Sequence, residues 1–220
     1  MTVVTTTTTT IAIPLFPQFT ALDGIGPYEV LQRIPDFDVT FVGHRRGEVR
    51  SDNGFLGITV DATFEDLPDP DVVVFPGGFG TRALLEDARV LEWVRGAHTS
   101  TRYTTSVCTG SLVLAAAGLL DGLTATSHWA AYDVLERLGA IPTGERVVEH
   151  LDRRIITAAG VSSGIDMALR LVELLVDRVA GEAAQLMIEY DPQPPFDAGS
   201  VAKAGDDVME RVAEYAGGRR

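Results

Sequence analysis

Apolar residues are spaced in two ways along this chain, and the two spacings alternate. Short, nearly continuous apolar runs lie at 11–16, 37–43 and 72–75, and a β-branched and aromatic run lies at 102–107. Bounded by turn formers, such runs suit strands buried on both faces. A shorter strand is predicted at 56–61, and two more at 146–149 and 154–158 read as a hairpin. Between the runs, apolar residues recur every three or four positions, the spacing of one helix face. Ile25, Val30, Leu31 and Ile34 mark a helix over 23–34, with Pro27 near its first turn. Leu84, Leu85, Leu91 and Val94 mark one over 82–100. Further helices are predicted at 110–117 (stopped by Gly118), 128–138 (stopped by Gly139), 164–179, 181–188 and 206–215. The polar stretch 45–52 reads as a turn region.

Strands alternating with helices predict an α/β fold whose mainly parallel sheet is covered on both faces. Ligands on such sheets bind beyond the carboxyl ends of the strands. Three loops fall on that rim: 17–23, 77–80 and 108–110. Six consecutive threonines, Thr5 to Thr10, make residues 1–10 a frayed lead-in. Residues 11–200 read as one domain without internal repeat, and 201–220 as a C-terminal extension.

Composition narrows the function. Hydrophobic residues make up 45% of the 220 and charged residues 22%, as expected of a soluble domain. The net charge of −13 disfavours nucleic acid and anionic membrane surfaces as partners, since both call for a basic face. Lys203 is the single lysine, which removes most lysine chemistry, and Cys108 is the single cysteine, so no intramolecular disulfide forms. No apolar run approaches ~18 residues, and the start lacks the basic and apolar regions of a signal peptide, so the expected compartment is the cytoplasm.

The chemistry gathers on the predicted rim. Cys108 stands where a strand becomes a helix, a turn that exposes a side chain and aims the first helical N–H groups at it, favouring thiolate over thiol. Thr109 and Gly110 supply such groups. A buried structural cysteine is the plainer reading. Gly77-Gly78-Phe79-Gly80 follows a buried strand and lets backbone N–H groups approach a ligand closely, as in an oxyanion hole; it lacks the spacing of a nucleotide-phosphate loop. Asp23, at a predicted helix start, is either an N-cap or a carboxyl group facing Cys108. Glu29, one to two turns on, is a solvated or a buried acid. His44, His98, His128 and His150 show no paired metal-ligand spacing, so no metal site is expected; His128 is a candidate base or a helix cap. Gly160-Val161-Ser162-Ser163-Gly164 matches G-x-S-x-G, but no histidine follows Ser162 to complete a hydrolase triad in chain order, and a Gly-rich loop on the same rim is the better reading.

Taken together, Ser106-Val107-Cys108-Thr109-Gly110-Ser111, Leu114-Ala115-Ala116-Ala117-Gly118-Leu119-Leu120-Asp121-Gly122, Ala125-Thr126-Ser127-His128-Trp129, Leu22-Asp23-Gly24-Ile25-Gly26-Pro27 and Pro76-Gly77-Gly78 resemble the ThiJ/PfpI superfamily. The similarity spans most of 11–200, and the tail from Glu189 to Ser200 is similar to the branch that hydrates isonitriles. The resemblance implies a flavodoxin-like three-layer sandwich with a nucleophile elbow, a homodimer, no cofactor and a small-molecule isonitrile substrate turned into an N-substituted formamide. It implies catalytic roles for Cys108 and Asp23, with Gly78 and Thr109 as backbone donors near the thiol. Glyoxalase-, deglycase- and peptidase-like activities occur in related branches, the last wanting a Cys–His dyad, and a redox-sensing thiol is a non-enzymatic alternative. The same core also serves as the sensing half of AraC-type regulators, which carry a DNA-binding region after it; only about 20 residues follow Ser200 here.

Overall fold

The structure, a computed structural model, describes residues 8–217. In chain order the strands are β1 (Thr9–Pro14), β2 (Phe37–Gly43), β3 (Gly47–Arg50), β4 (Gly57–Val60), β5 (Ala62–Thr63), β6 (Val72–Phe75), β7 (Tyr103–Val107), β8 (Thr124–Ala125), β9 (Ile141–Pro142), β10 (Val147–His150) and β11 (Ile155–Ala158). The helices are α1 (Ala21–Leu31), α2 (Thr81–Leu84), α3 (Ala88–Ser100), α4 (Gly110–Ala116), α5 (Tyr132–Arg137), α6 (Ser163–Leu175), α7 (Arg178–Met187) and α8 (Asp206–Gly217).

Seven strands form the central sheet in the order β10-β11-β7-β6-β1-β2-β5. All neighbours run parallel except β10 and β11, the expected hairpin, in which Val147 faces Ala158. From β2 through β1, β6 and β7 to β11 this is the flavodoxin-like order, and its direction reverses between β1 and β6. The strands alternate faces as a pleated chain must. On one face Ala12, Val73, Phe75 and Ile155 join Trp93, Val94 and Leu112 to Leu114 from α3 and α4. On the other, Ile11, Ile13, Val72, Val74 and Ile156 join Val30 and Leu31 of α1 and Met167, Leu171 and Val172 of α6. The result is the three-layer arrangement expected from the sequence.

The structure departs from the sequence reading at several boundaries. The helix expected over 82–100 is two: α2 ends at Leu84, and α3 restarts at Asp87, whose carboxylate accepts from the N–H groups of Arg89 (3.1 Å) and Val90 (3.2 Å). The helix expected over 164–179 stops at Leu175, and α7 begins where the Asp177 side chain accepts from Ala180 N–H. In both places an Asp offers orphan amides a better partner than the continuing helix does. The segment read as a turn over 45–52 contains β3, paired with β4 in a separate antiparallel hairpin. Strand β1 starts at Thr9, so Thr9 and Thr10 belong to the sheet rather than to the lead-in, whose residues 1–7 lie outside the described ones. The chain divides into two compact units between Ile188 and Glu189, where Glu189 takes a left-handed φ of 49°; the second unit holds α8. No helix among the described residues is long and apolar enough to cross a membrane.

Candidate active site

The loops after β1, β6 and β7 meet at the point where the sheet order reverses. After β1 the chain passes Phe19, fully buried and bridged to Ser51 on one side and Gly78 on the other. Thr20 N–H donates to Gly77 O (2.9 Å), and α1 starts at Ala21. Thr20, not Asp23, occupies the N-cap position. Asp23 lies in the first turn with its carboxyl group turned inward, fully buried. Its Oδ2 accepts from Gly77 N–H at 2.9 Å, while Oδ1 is buried with no donor of regular geometry. The carboxyl also meets the Cys108 thiol side chain to side chain. Burial raises the Asp23 pKa to about 7 against the opposing pull of Gly77 N–H and the thiol, with a smaller upward push from Asp52.

Cys108 follows β7 with a φ of 58°, a left-handed conformation that costs a non-glycine residue energy and turns the chain sharply into α4. The strain is held from all sides. Cys108 N–H is shared between Ala158 O (3.0 Å) and Ala159 O (2.9 Å). Its carbonyl oxygen accepts from the hydroxyls of Ser111 and Ser127, both at 3.1 Å. Two backbone N–H groups point at the sulfur, those of Thr109 and Val161. The sequence reading anticipated Thr109 but missed Val161, a β-branched residue at φ 45° in the Gly-rich loop before α6. That loop's match to a serine motif masked its backbone role.

The expectation that the helix mouth stabilises a resting thiolate does not hold. Burial first, and then the negative charge of Asp23, raise the thiol well above its ordinary value, and the Thr109 and Val161 donors offset only part of this. With 5% of its surface exposed, Cys108 is closer to a protected group than to an open oxidation sensor.

Glycines allow the loops to close. A Cβ on Gly110 would lie 2.1 Å from Phe75 O, and one on Gly77 2.5 Å from Thr109 N. Gly78 has φ 136°; its N–H donates to Thr109 Oγ1 (2.9 Å) and its carbonyl accepts from Thr81 Oγ1 (2.8 Å). The Gly78 amide thus sits beside the site but already serves the Thr109 side chain.

The remaining candidates are drawn elsewhere. Glu29 pairs with Arg33 (2.9 Å) on a half-exposed helix face. His128 Nδ1 accepts from Ala130 N–H (3.3 Å), its ring lies tilted against Trp129, and burial lowers its pKa. His44 pairs with Asp87 (2.7 Å), His98 with Thr104 (2.9 Å) and His150 with Thr124 O (2.8 Å). Ser162 is exposed, and its hydroxyl accepts from Arg146 at 3.4 Å. Among the described residues no cluster of three His, Cys, Asp or Glu is arranged to hold a metal ion.

The chain is similar to known proteins. The chain is 46% identical over 202 residues to an isonitrile hydratase of Pseudomonas putida, an alignment covering 92% of this chain and 87% of that one. A crystal structure of a ThiJ/PfpI family protein from Pseudomonas syringae superposes with a TM-score of 0.89 at 41% identity, over 96% of this chain and 87% of the other. Drosophila melanogaster DJ-1beta shares the fold at a TM-score of 0.75 and 23% identity, over 83% of this chain and 98% of its own. The model of the DJ-1/PfpI family matches residues 9–174, from the first strand through the elbow and into α6, and the chain belongs to that family.

Proposed function

We propose that this protein hydrates an isonitrile to an N-substituted formamide, with Cys108 as nucleophile and Asp23 as the group that carries the proton. The observation that carries the reading is the buried thiol–carboxyl pair, in which Asp23 has a pKa of about 7 and the sulfur has the backbone N–H groups of Thr109 and Val161 as donors. The near relative from Pseudomonas putida supplies the substrate class.

A terminal isonitrile carbon is electrophilic and suits sulfur. The Asp23 carboxylate takes the thiol proton as sulfur bonds to that carbon, and returns it to the same carbon, leaving a thioimidate, R–N=CH–S–Cys108. The raised thiol fits this order, because the proton leaves only as the C–S bond forms. Thr109 and Val161 N–H groups stabilise the charge that builds on sulfur. Water then attacks the carbon while Asp23 accepts one of its protons. The nitrogen is protonated, the C–S bond breaks, the thiol regains its proton and R–NH–CHO leaves. Every proton and electron pair comes from the chain, the substrate or water, so the scheme calls for no cofactor. Gly78, its amide tied to Thr109, borders the substrate in this reading, and the active form is a homodimer in the cytoplasm.

Replacement of Cys108 by Ala is expected to abolish formamide production from a simple alkyl isonitrile, followed by chromatography. Turnover at the wild-type rate would end the reading. A Cys–His peptidase reading has no support in the geometry, because His128 Nδ1 is committed to Ala130. His128→Ala is expected to change isonitrile turnover far less than Asp23→Asn.

A further inference from the structure

Ser127 lies 19 residues beyond Cys108, in the link between β8 and α5, and is fully buried. It belongs to no element of the mechanism above, yet its hydroxyl donates to Cys108 O at 3.1 Å. That carbonyl and the Thr109 N–H are the two ends of one peptide unit. A trans peptide is planar, so the carbonyl and the N–H point in opposite directions. Whatever holds the Cys108 carbonyl on the far side therefore aims the Thr109 N–H at the sulfur. Donation to the carbonyl also polarises the peptide and strengthens its N–H as a donor. Ser111 Oγ reaches the same oxygen at 3.1 Å, but from one turn away inside α4, where it moves with the elbow. Ser127 comes from outside and ties the peptide to the rest of the molecule.

The anchoring of Ser127 supports this role. Its neighbour Thr126 donates N–H to Thr157 Oγ1 on β11 at 3.0 Å. On the other side, His128 packs so closely on Gly160 that a Cβ there would sit 2.8 Å from the imidazole Cδ2. Gly160 precedes Val161, whose N–H is the second donor to the sulfur. Three consecutive residues thus rest on a sheet strand, on the peptide that presents one donor and on the residue leading into the other.

We infer that Ser127 is a positioning residue for the reaction, holding the Cys108–Thr109 peptide so that its N–H stabilises negative charge on Cys108 sulfur. The inference rests on the reading of Cys108 as the nucleophile. Cys108 is the only cysteine, so alkylation by iodoacetamide reports on that sulfur alone. In Ser127→Ala the alkylation rate at pH 8 is expected to fall about five- to tenfold, the size of one net hydrogen bond. Ser127→Thr, which keeps the hydroxyl, restores it. A merely loosened elbow would expose the sulfur and speed alkylation instead. A wild-type or faster rate in Ser127→Ala overturns the inference, whatever the melting temperature does. Should Ser127→Ala fail to fold, Ser111→Ala removes the other hydroxyl from the same oxygen and must slow alkylation as well. Isonitrile turnover by the wild type and Cys108→Ala is measured beside these assays. Its failure counts against the hydratase reading alone, since the alkylation profile does not depend on the substrate.

Discussion

At the scale of single residues, the site is a buried acid facing a buried thiol; burial makes both harder to ionise, and the acid's charge holds the thiol up further while the thiol's hydrogen bond eases the acid's ionisation. Asp23 binds its proton with a pKa of about 7 in the folded protein, against 3.8 when unperturbed. Between those values the folded state holds more protons than the unfolded chain, so the contribution of this group to stability falls as pH rises through the window. Below about 4 the carboxyl is protonated in both states and the burial is harmless. Above about 7 the folded protein carries a charge it would rather not hold, at a cost on the order of 4 kcal/mol. Asp23→Asn keeps an acceptor for Gly77 N–H and removes the charge. It is therefore expected to stabilise the protein at pH 8 much more than at pH 5, measured by urea unfolding at both, while reducing turnover by two or more orders of magnitude. Equal stabilisation at the two pH values would show that Asp23 is not the buried charge. In the active protein, turnover is expected to rise with pH through a midpoint near 7, as the carboxylate that accepts the thiol proton forms. The residue types at this site were legible in the sequence: one cysteine at a strand-to-helix turn and an acid on the same rim. The sign of the thiol shift was not, because helix-end donors can be inferred from order along the chain but burial cannot. Val161 was hidden for a related reason, since it acts through its backbone N–H and its side chain carries no message.

At the scale of elements, the fold was legible wherever periodicity was strong and obscure where a single capping residue overrode it. The run 72–75 predicted a central strand, and β6 is buried along its whole length. The pattern over 82–100 predicted one helix because Leu84, Leu85, Leu91 and Val94 keep helical spacing across the break. Asp87 decides the matter locally by offering its carboxylate to two amides. The same carboxylate pairs with His44 on the far side of the loop. Asp87→Ala is expected to cost about 1 kcal/mol, as lost caps do, which for a protein of this size lowers Tm by about 2–4 °C. Turnover should be unchanged, because the break lies away from the elbow; calorimetry with an activity assay checks both. Small strands such as β5, β8 and β9, two residues each, leave no periodic trace at all. Strand β3 was masked by its charged residues Glu48 and Arg50, which suit a strand pair outside the main sheet, while its partner β4 falls within the strand expected over 56–61.

At the scale of the whole molecule, function follows from where the strand order turns back. Strands β1 and β6 are neighbours, but the chain leaves them in opposite directions across the sheet, and in open α/β sheets ligands bind beyond the carboxyl ends of strands at such a reversal. Asp23 comes from the connection after β1, Gly77 from the one after β6 and Cys108 from the one after β7, so three distant segments meet without any long loop. Both cores that hold those strands draw only on residues up to Ile188. In the second unit, α8 buries none of its residues. A chain ending at Ile188 should therefore keep its fold, with an unchanged far-UV spectrum after allowance for α8 and a Tm within a few degrees of the full chain. A loss of cooperative unfolding in that variant would mean that residues 189–217 supply stability that the burial pattern does not reveal. If the fold survives, turnover by the shortened chain measures what the tail itself contributes. A selective loss of isonitrile turnover with the Cys108 alkylation profile intact would assign the tail to the substrate rather than to the sulfur.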